Sequence, residues 1–352
     1  MNFNRQKSIS KINKFASKKI PFLLISDFEG ENCIIEALEN INDEEIKFWV
    51  NGKSNTPNQP SIKMGRAKQN FPLYLGGAGV QLNKSPIKFH KYKLAFDHVQ
   101  TNIFQGNSFL TNLTCETPID LNISLLDIFE GSEAKYKIYL KSKFVCFSPE
   151  IFVQIDKEGK ISSFPMKGTI NAAYPNAEQT ILKDKKEFYE HTTIVDLIRN
   201  DLSKVADKVW VEKFRYIDRI QTNEKQEILQ VSSQVSGLLS NNWQEQLGDI
   251  VFSMLPAGSI SGAPKEKTLE IISEAEKYTY ATQFEKLSQN RGFYTGVCGI
   301  FDGETFDSGV MIRFIEQKPE GLVFKSGGGI TSNSIAEKEY EEMIQKIYVP
   351  IV

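Results

Sequence analysis

Residues 148–169, SPEIFVQIDKEGKISSFPMKGT, alternate apolar and polar positions through Ile151, Val153 and Ile155, reverse at DKEGK, and return through Ile161 and Phe164. Period-two alternation broken by a glycine-containing turn is the pattern of a β-hairpin, which forces the two strands to run antiparallel. Short apolar runs such as PFLLIS (21–26), IKFWV (46–50) and FPLYL (71–75) extend the pattern, separated by polar or Gly/Pro-rich segments; NGKSNTPNQP (51–60) reads as a surface loop and GGAGV (76–80) as a turn. Strands that cluster into hairpins, instead of alternating strictly with helices, favour an α+β fold over a doubly wound parallel sheet.

Four helices are predicted, over residues 184–206, 244–255, 264–277 and 334–348. The first and last open on box-like caps, Asp184 with Glu187 and Ser334 with Glu337, where side-chain oxygens satisfy free amides. Two regions follow: residues 1–93 contribute strands to the same fold, and residues 94–352 form the catalytic region. Residues 1–19 are basic and free of acids, with Ile9, Ile12 and Phe15 near helical spacing. They lack the apolar core of a secretory signal and read as a solvated surface helix.

Composition narrows the function classes. A chain of 352 residues with 40% hydrophobic and 24% charged residues can bury a large core. Its net charge of −2 and scattered basic residues provide no stripe for a nucleic-acid backbone. No run of about eighteen apolar residues is present to span a bilayer. The four cysteines are far apart and outside any CxxC pair, which fits a reducing cytoplasm; the three histidines show no metal-binding spacing.

Several residues stand out as carriers of chemistry. Counting outward from the DKEGK turn, Glu150 and Lys167 arrive at one end of the hairpin, where a carboxyl and an amine can share a pocket. An exposed ion pair is the plain alternative; the Ser148–Pro149 and Gly168–Thr169 flanks, which imply shaped loops, favour a general acid beside a lysine whose pKa is lowered enough for nucleophilic attack. Glu190 on one helix, and Glu339, Glu342 and Lys346 along one stripe of another, offer carboxylates for Mg²⁺, solvated helix charges being the alternative. SGGGITSNS (326–334) and PAGSISGAPK (256–265) both run into helices; their small residues let amides and Ser261 approach an anion. Arg313 is a charge in the apolar strand-like run GVMIRF, requiring either a ligand carboxylate or a structural acid.

Taken together, PAGSISGAPK, RGFYTGVCG, MIRF, SGGGITSNS followed by EKEYEEMIQK, EHTTIVDLIRNDL and FPMKGT resemble the chorismate-utilising enzyme family, in the family's order from about residue 95 to the C-terminus. The resemblance implies two large antiparallel β-sheets packed face to face with helices outside. It implies Mg²⁺ held by Glu190 and Glu342, with Glu339 assisting through water. It assigns the carboxylates of chorismate to Arg313, Tyr294, Ser261 and the amides of Gly327, Gly328 and Gly329, with Lys346 on the same surface, and makes Glu150 the acid that protonates the leaving 4-hydroxyl.

Two positions divide the family. Leu110 stands where water-activating members carry lysine, and a leucine cannot deprotonate water. Lys167, in PMKGT, stands where anthranilate synthases carry alanine; this resembles the aminodeoxychorismate synthases, whose lysine attacks C2 of the ring before ammonia enters at C4. Anthranilate synthesis, and a chorismate-binding or docking protein without activity, are the alternatives. Cys298 in GVCGI lacks the surroundings of a glutaminase nucleophile, so the resemblance implies a separate glutamine amidotransferase subunit as ammonia source. The chain departs from many relatives in having Gln230 for histidine, in lacking an arginine after Lys167, and in lacking recognisable tryptophan-pocket segments, so no tryptophan feedback is expected.

Overall fold

The structure is a computed structural model that describes residues 2–56, 80–221, 227–280 and 291–351. FPLYL, most of GGAGV and the end of the NGKSNTPNQP loop lie outside the described residues. Two sheets, of ten and nine strands, form entirely from antiparallel pairs among the described residues.

Alternation along single strands shows how the sheets are layered. In the strand Phe22–Ser26, Phe22 and Leu24 join the core covered by the helices Arg5–Ser17, Lys185–Leu202 and Leu247–Ser253. Leu23 and Ile25 point the other way, into a core shared with Phe48, Tyr136, Ile138, Cys146 and Phe314 of the second sheet. On the far face of that sheet, Val145, Phe147, Ile315 and Phe324 meet Tyr92, Phe96, Ile271 and Met343 from the helices Phe89–Phe104, Lys265–Thr279 and Ala336–Gln345. The architecture is therefore the expected α+β sandwich, two antiparallel sheets face to face with helices outside. Burial on both faces also explains why PFLLIS reads as a continuous apolar run, without the alternation of a half-exposed strand.

The N-terminal strands belong to both sheets: Phe22–Ser26 pairs with Val297–Phe301, and Ile46–Val50 with Tyr136–Leu140. The helix Phe89–Phe104 runs across residue 93. The helix Arg5–Ser17 is not the solvated element its charges imply. Ile12 and Ala16 are fully buried, Arg5 donates to the Phe252 carbonyl at 2.6 Å, and Asn13 Oδ1 accepts from the Gly248 amide at 2.7 Å. Burying Ile12 alone contributes about 1.5–3 kcal/mol, while Lys7, Lys14, Lys18 and Lys19 remain exposed.

The helix over 184–206 appears as Lys185–Leu202, with Asp184 accepting from the Glu187 amide at 3.0 Å as expected. The last helix starts later than its cap pattern indicates, at Ala336 behind Ile335, which offers no side-chain cap. Ser334 is occupied elsewhere: its hydroxyl donates to Glu339 Oε1 at 2.8 Å and accepts from the Thr331 amide at 3.1 Å.

Candidate active site

The hairpin forms as its alternation requires, with Gln154 opposite Ser162 and Ile155 opposite Ile161. Its return strand, Lys160–Ser163, then continues past Phe164 and Pro165 as Met166–Asn171, both segments pairing with Glu227–Leu238. Between Met166 and Thr169 the strand takes three steps while its partner takes two, from Ser232 to Gln230. Lys167 and Gly168 occupy this bulge, with Gly168 at φ +87°, where a Cβ would lie 2.9 Å from Glu187 Oε2. A bulge re-aims the side chains it contains; this one turns Lys167 into a cavity of about 220 Å³.

Eight of the residues singled out in the sequence line that cavity: Glu150, Lys167, Tyr294, Arg313, Gly327, Gly328, Gly329 and Lys346. The glycine run is the end of the strand Gly321–Ile330 and passes close to both lysines. A Cβ at Gly328 would sit 3.6 Å from Lys346 Nζ and from Glu339 Oε2, and one at Gly329 would sit 4.0 Å from Lys167 Nζ. The side chains missing at Gly328 and Gly329 leave these ammonium groups open to a ligand, whereas Gly327 is required by the neighbouring strand, where a Cβ would lie 2.4 Å from the Leu113 carbonyl oxygen.

The carboxylates stand behind the lysines. Glu190 Oε2 is 3.0 Å from Lys167 Nζ, and Glu342 Oε1 is 2.8 Å from Lys346 Nζ, which also donates to the Gly327 carbonyl at 2.8 Å. Burial raises the pKa of Glu150 above the ordinary carboxylate value, against the opposing pull of the Ser259 hydroxyl and the charges of Arg313, Lys346 and Lys167. Burial likewise lowers that of Lys346 and, with Glu342 adding, raises that of Glu339. For Glu342 burial works upward, but the Lys346 ammonium prevails and holds it low.

Lys167 corrects the sequence expectation. Burial does press its pKa down, but the Glu190 carboxylate at 3.0 Å more than offsets this, and the net shift is upward. In this arrangement the amine is held charged; it becomes a nucleophile only when that pairing is broken.

Arg313 is also placed differently from its reading as a buried strand residue. It lies in the link between Phe306–Val310 of one sheet and Phe314–Lys318 of the other, with a left-handed φ of 54°. Its guanidinium stands over the Tyr348 ring at 5.3 Å and donates from Nε to the Tyr348 hydroxyl at 3.3 Å. Among the described residues no carboxylate lies within ion-pair distance of it, so the structural salt bridge does not form. A left-handed arginine is strained, and such strain collects at ligand sites.

Ser261 does not reach the cavity wall. It is fully buried and its hydroxyl donates to the Ala257 carbonyl at 2.9 Å. Ser259, two residues earlier, lines the cavity and donates to Glu150 Oε1. The sequence offered both hydroxyls in GSISG and no means of choosing, because the choice depends on the 3-10 turn Gly258–Ile260. Asp201 also lines the cavity, with no motif in the sequence to mark it for the site.

Among the described residues no three acidic, histidine or cysteine side chains are gathered as a ready-made metal site. Glu190, Glu339 and Glu342 are not among the residues that line the cavity; Glu190 and Glu342 each act electrostatically on Lys167, which does. An all-oxygen set of one or two carboxylates fits Mg²⁺, which retains waters and takes its remaining ligands from an anionic substrate.

The two-sheet fold is that of a known class of enzymes, and the chain belongs to the chorismate-binding enzyme family, whose description matches residues 21–351. It is 48% identical, over 98% of its own length and 97% of the relative's, to an uncharacterized PabA-like protein of Haemophilus influenzae. It is 28% identical to aminodeoxychorismate synthase component 1 of Bacillus subtilis, covering 75% of this chain and 55% of that one. The structure also resembles anthranilate synthase component I of Streptococcus pneumoniae, with a TM-score of 0.62 and 20% identity over 92% of this chain and 74% of that one.

Proposed function

We propose that this protein is an aminodeoxychorismate synthase component I, converting chorismate and ammonia to 4-amino-4-deoxychorismate for p-aminobenzoate and folate synthesis. The observation that carries the reading is the bulge that aims Lys167 into the cavity holding Glu150. Arg313, free of any carboxylate partner among the described residues, supports a carboxylate-binding wall with Tyr294 and the Gly327–Gly329 edge.

The chemistry divides one hard displacement into two. Lys167, freed from Glu190 and made neutral by giving its ammonium proton to solvent, forms a bond from Nζ to C2; the ring double bonds shift, the C4–O bond breaks, and the departing hydroxyl takes the Glu150 proton and leaves as water. Ammonia then bonds to C4, the double bonds shift back, the C2–N bond to Lys167 breaks, and the Glu150 carboxylate accepts the proton that the new amine sheds. Glu190 and Glu342, with Glu339 through water, would hold Mg²⁺, which when bound supplies positive charge for a substrate carboxylate and competes for the oxygens that now pair with Lys167. Leu110 lines the same cavity and brings no base for water.

Ammonia needs a source. Cys298 is fully buried, and burial raises its thiol pKa far above the ordinary value, which suits no glutaminase nucleophile. The reading therefore includes a separate glutamine amidotransferase subunit. The test is to incubate the pure chain with chorismate, Mg²⁺ and an ammonium salt and to identify products by mass and absorbance. Aminodeoxychorismate is expected; anthranilate or unchanged chorismate would overturn the reading.

A further inference from the structure

We propose that the buried ion pair between Asp201 and Lys265 is a positioning strut for the general acid, holding the turn that presents Ser259 to Glu150. The inference rests on the reading of Glu150 as that acid. Asp201 ends the helix that carries Glu190, and its side chain is 6% exposed, against 13% for that of Lys265. Lys265 Nζ lies 2.7 Å from Asp201 Oδ1 and donates to the Met254 carbonyl at 2.9 Å. One ammonium thus closes the base of the loop 255–264 and ties it to the helix.

The loop lies directly against that pair. A Cβ at Gly258 would come within 2.7 Å of Asp201 Oδ2. The loop is pinned from its other side by the Ser261 hydroxyl on the Ala257 carbonyl and by Arg291 Nη1 on the Ile260 carbonyl at 2.7 Å. Between these fixed points, the Ser259 hydroxyl makes no bond to the loop and donates to Glu150 Oε1. With Oε1 accepting, Oε2 is the oxygen left to carry the transferable proton.

A buried ion pair is a weak stabiliser compared with apolar residues of equal volume, whereas it fixes geometry through directed bonds. Asp201 and Lys265 touch no part of Glu150; they act through Ser259. The charged groups that act most strongly on Glu150 are Arg313, Lys346 and Lys167, none of which belongs to the strut, although Asp201 lines the same cavity.

The test is a double-mutant cycle on the full chain with Lys265→Met, Asp201→Asn and Ser259→Ala. For each variant, kcat and KM for chorismate with ammonium are measured across pH, and Glu150 itself is titrated by carbon-13 NMR, assigned with Glu150→Gln. Lys265→Met and Ser259→Ala should each lower kcat about tenfold or more, the low end of an acid–base contribution, with KM changed less than threefold. Both should also move the Glu150 titration to higher pH. Combined, they should be no worse than Ser259→Ala alone. Additive losses, a loss confined to KM, or an unmoved Glu150 titration in Lys265→Met would overturn the strut. The NMR arm needs no turnover, so a wild-type chain inactive on chorismate would refute the functional reading and leave the strut to be judged by titration. Asp201→Asn, which keeps the shape of the carboxylate, guards against a Lys265→Met chain that fails to fold.

Discussion

Lys167 Nζ lies 3.0 Å from Glu190 Oε2, so the proposed nucleophile and a proposed metal ligand are one ion pair. Neither group can perform its task while it holds the other: the amine must lose a proton, and the carboxylate must turn to a cation. In the proposed mechanism, opening this pair would take the enzyme from its resting to its reacting form. Lys167→Ala should lose far more activity at low ammonia than at high ammonia, because free ammonia at high concentration can attack without the covalent step. Rates measured across an ammonium series check this; an equal loss at both ends contradicts a nucleophilic lysine.

Glu150→Gln keeps the hydrogen-bonding shape and removes the proton. It should reduce kcat by about 10²–10⁴-fold, the usual contribution of a positioned general acid. Chorismate binding, followed by calorimetry, should change little. The wild-type rate should fall as pH rises through the Glu150 pKa, which burial holds above the ordinary carboxylate range. Lys346 pulls that pKa down, so Lys346→Met should move the falling limb to higher pH; a limb that moves lower would show that the acid is another group.

Arg313 presents its guanidinium to the cavity with only Tyr348 as partner among the described residues. A hydrogen bond to a charged group is worth about 1.5–3 kcal/mol, so Arg313→Met should raise KM for chorismate roughly 10–100-fold. Arg313→Lys should recover little of this, since a single ammonium cannot grip a carboxylate from two sides. Recovery to near wild-type KM with lysine would argue for simple charge attraction.

The proposed all-oxygen donor set of Glu190 and Glu342 predicts Mg²⁺ dependence. Chelation should abolish turnover and added Mg²⁺ restore it. Glu342→Gln should raise the Mg²⁺ needed for half-maximal rate by at least about tenfold, since even partners one shell out from a metal ligand cost about 10–100-fold. An unchanged Mg²⁺ requirement would remove Glu342 from the donor set.

The hairpin was legible in the sequence because adjacent strands carry their own pairing information, the DKEGK turn setting the 154–162 register, whereas the two-sheet sandwich was expected only from the family resemblance. The pairing of Phe22–Ser26 with Val297–Phe301 was not legible, since strands far apart in sequence carry no local sign of their neighbours. The same division runs through the site. Glu150, Lys167 and the glycine run stand beside turns and bulges, where residue type betrays geometry. Ser259 and Ser261 share one motif, and only the three-dimensional turn decides which faces the cavity. The sign of the Lys167 shift depends on a carboxylate 23 positions away on another element, which no reading of PMKGT can supply. Ile12 misled for a related reason: a basic helix can lay one apolar stripe on a sheet while its charges remain near water.

A buried lysine far from the cavity gives a stability prediction with a definite sign. Lys137 is 3% exposed, with Nζ donating to the Phe129 carbonyl at 2.8 Å and the Ser132 carbonyl at 2.7 Å. Burial lowers its pKa to about 8, against weak opposition from Glu133 and Glu130. The unfolded chain has the ordinary lysine value near 10.4, so above pH 8 it binds a proton that the folded chain has lost. Below pH 8 both states are charged and the fold bears the full desolvation penalty; as pH rises from 8 toward 10.4 that penalty is relieved. By pH 9.5 the relief amounts to roughly 2 kcal/mol of added stability relative to pH 7. Urea unfolding at the two pH values should show this component in the wild type and not in Lys137→Met, whose stability at pH 7 reflects a different balance because two carbonyls lose their donor. Identical pH slopes for the two chains would mean that Lys137 stays protonated in the fold, with the two carbonyls and the Phe129 ring compensating its burial.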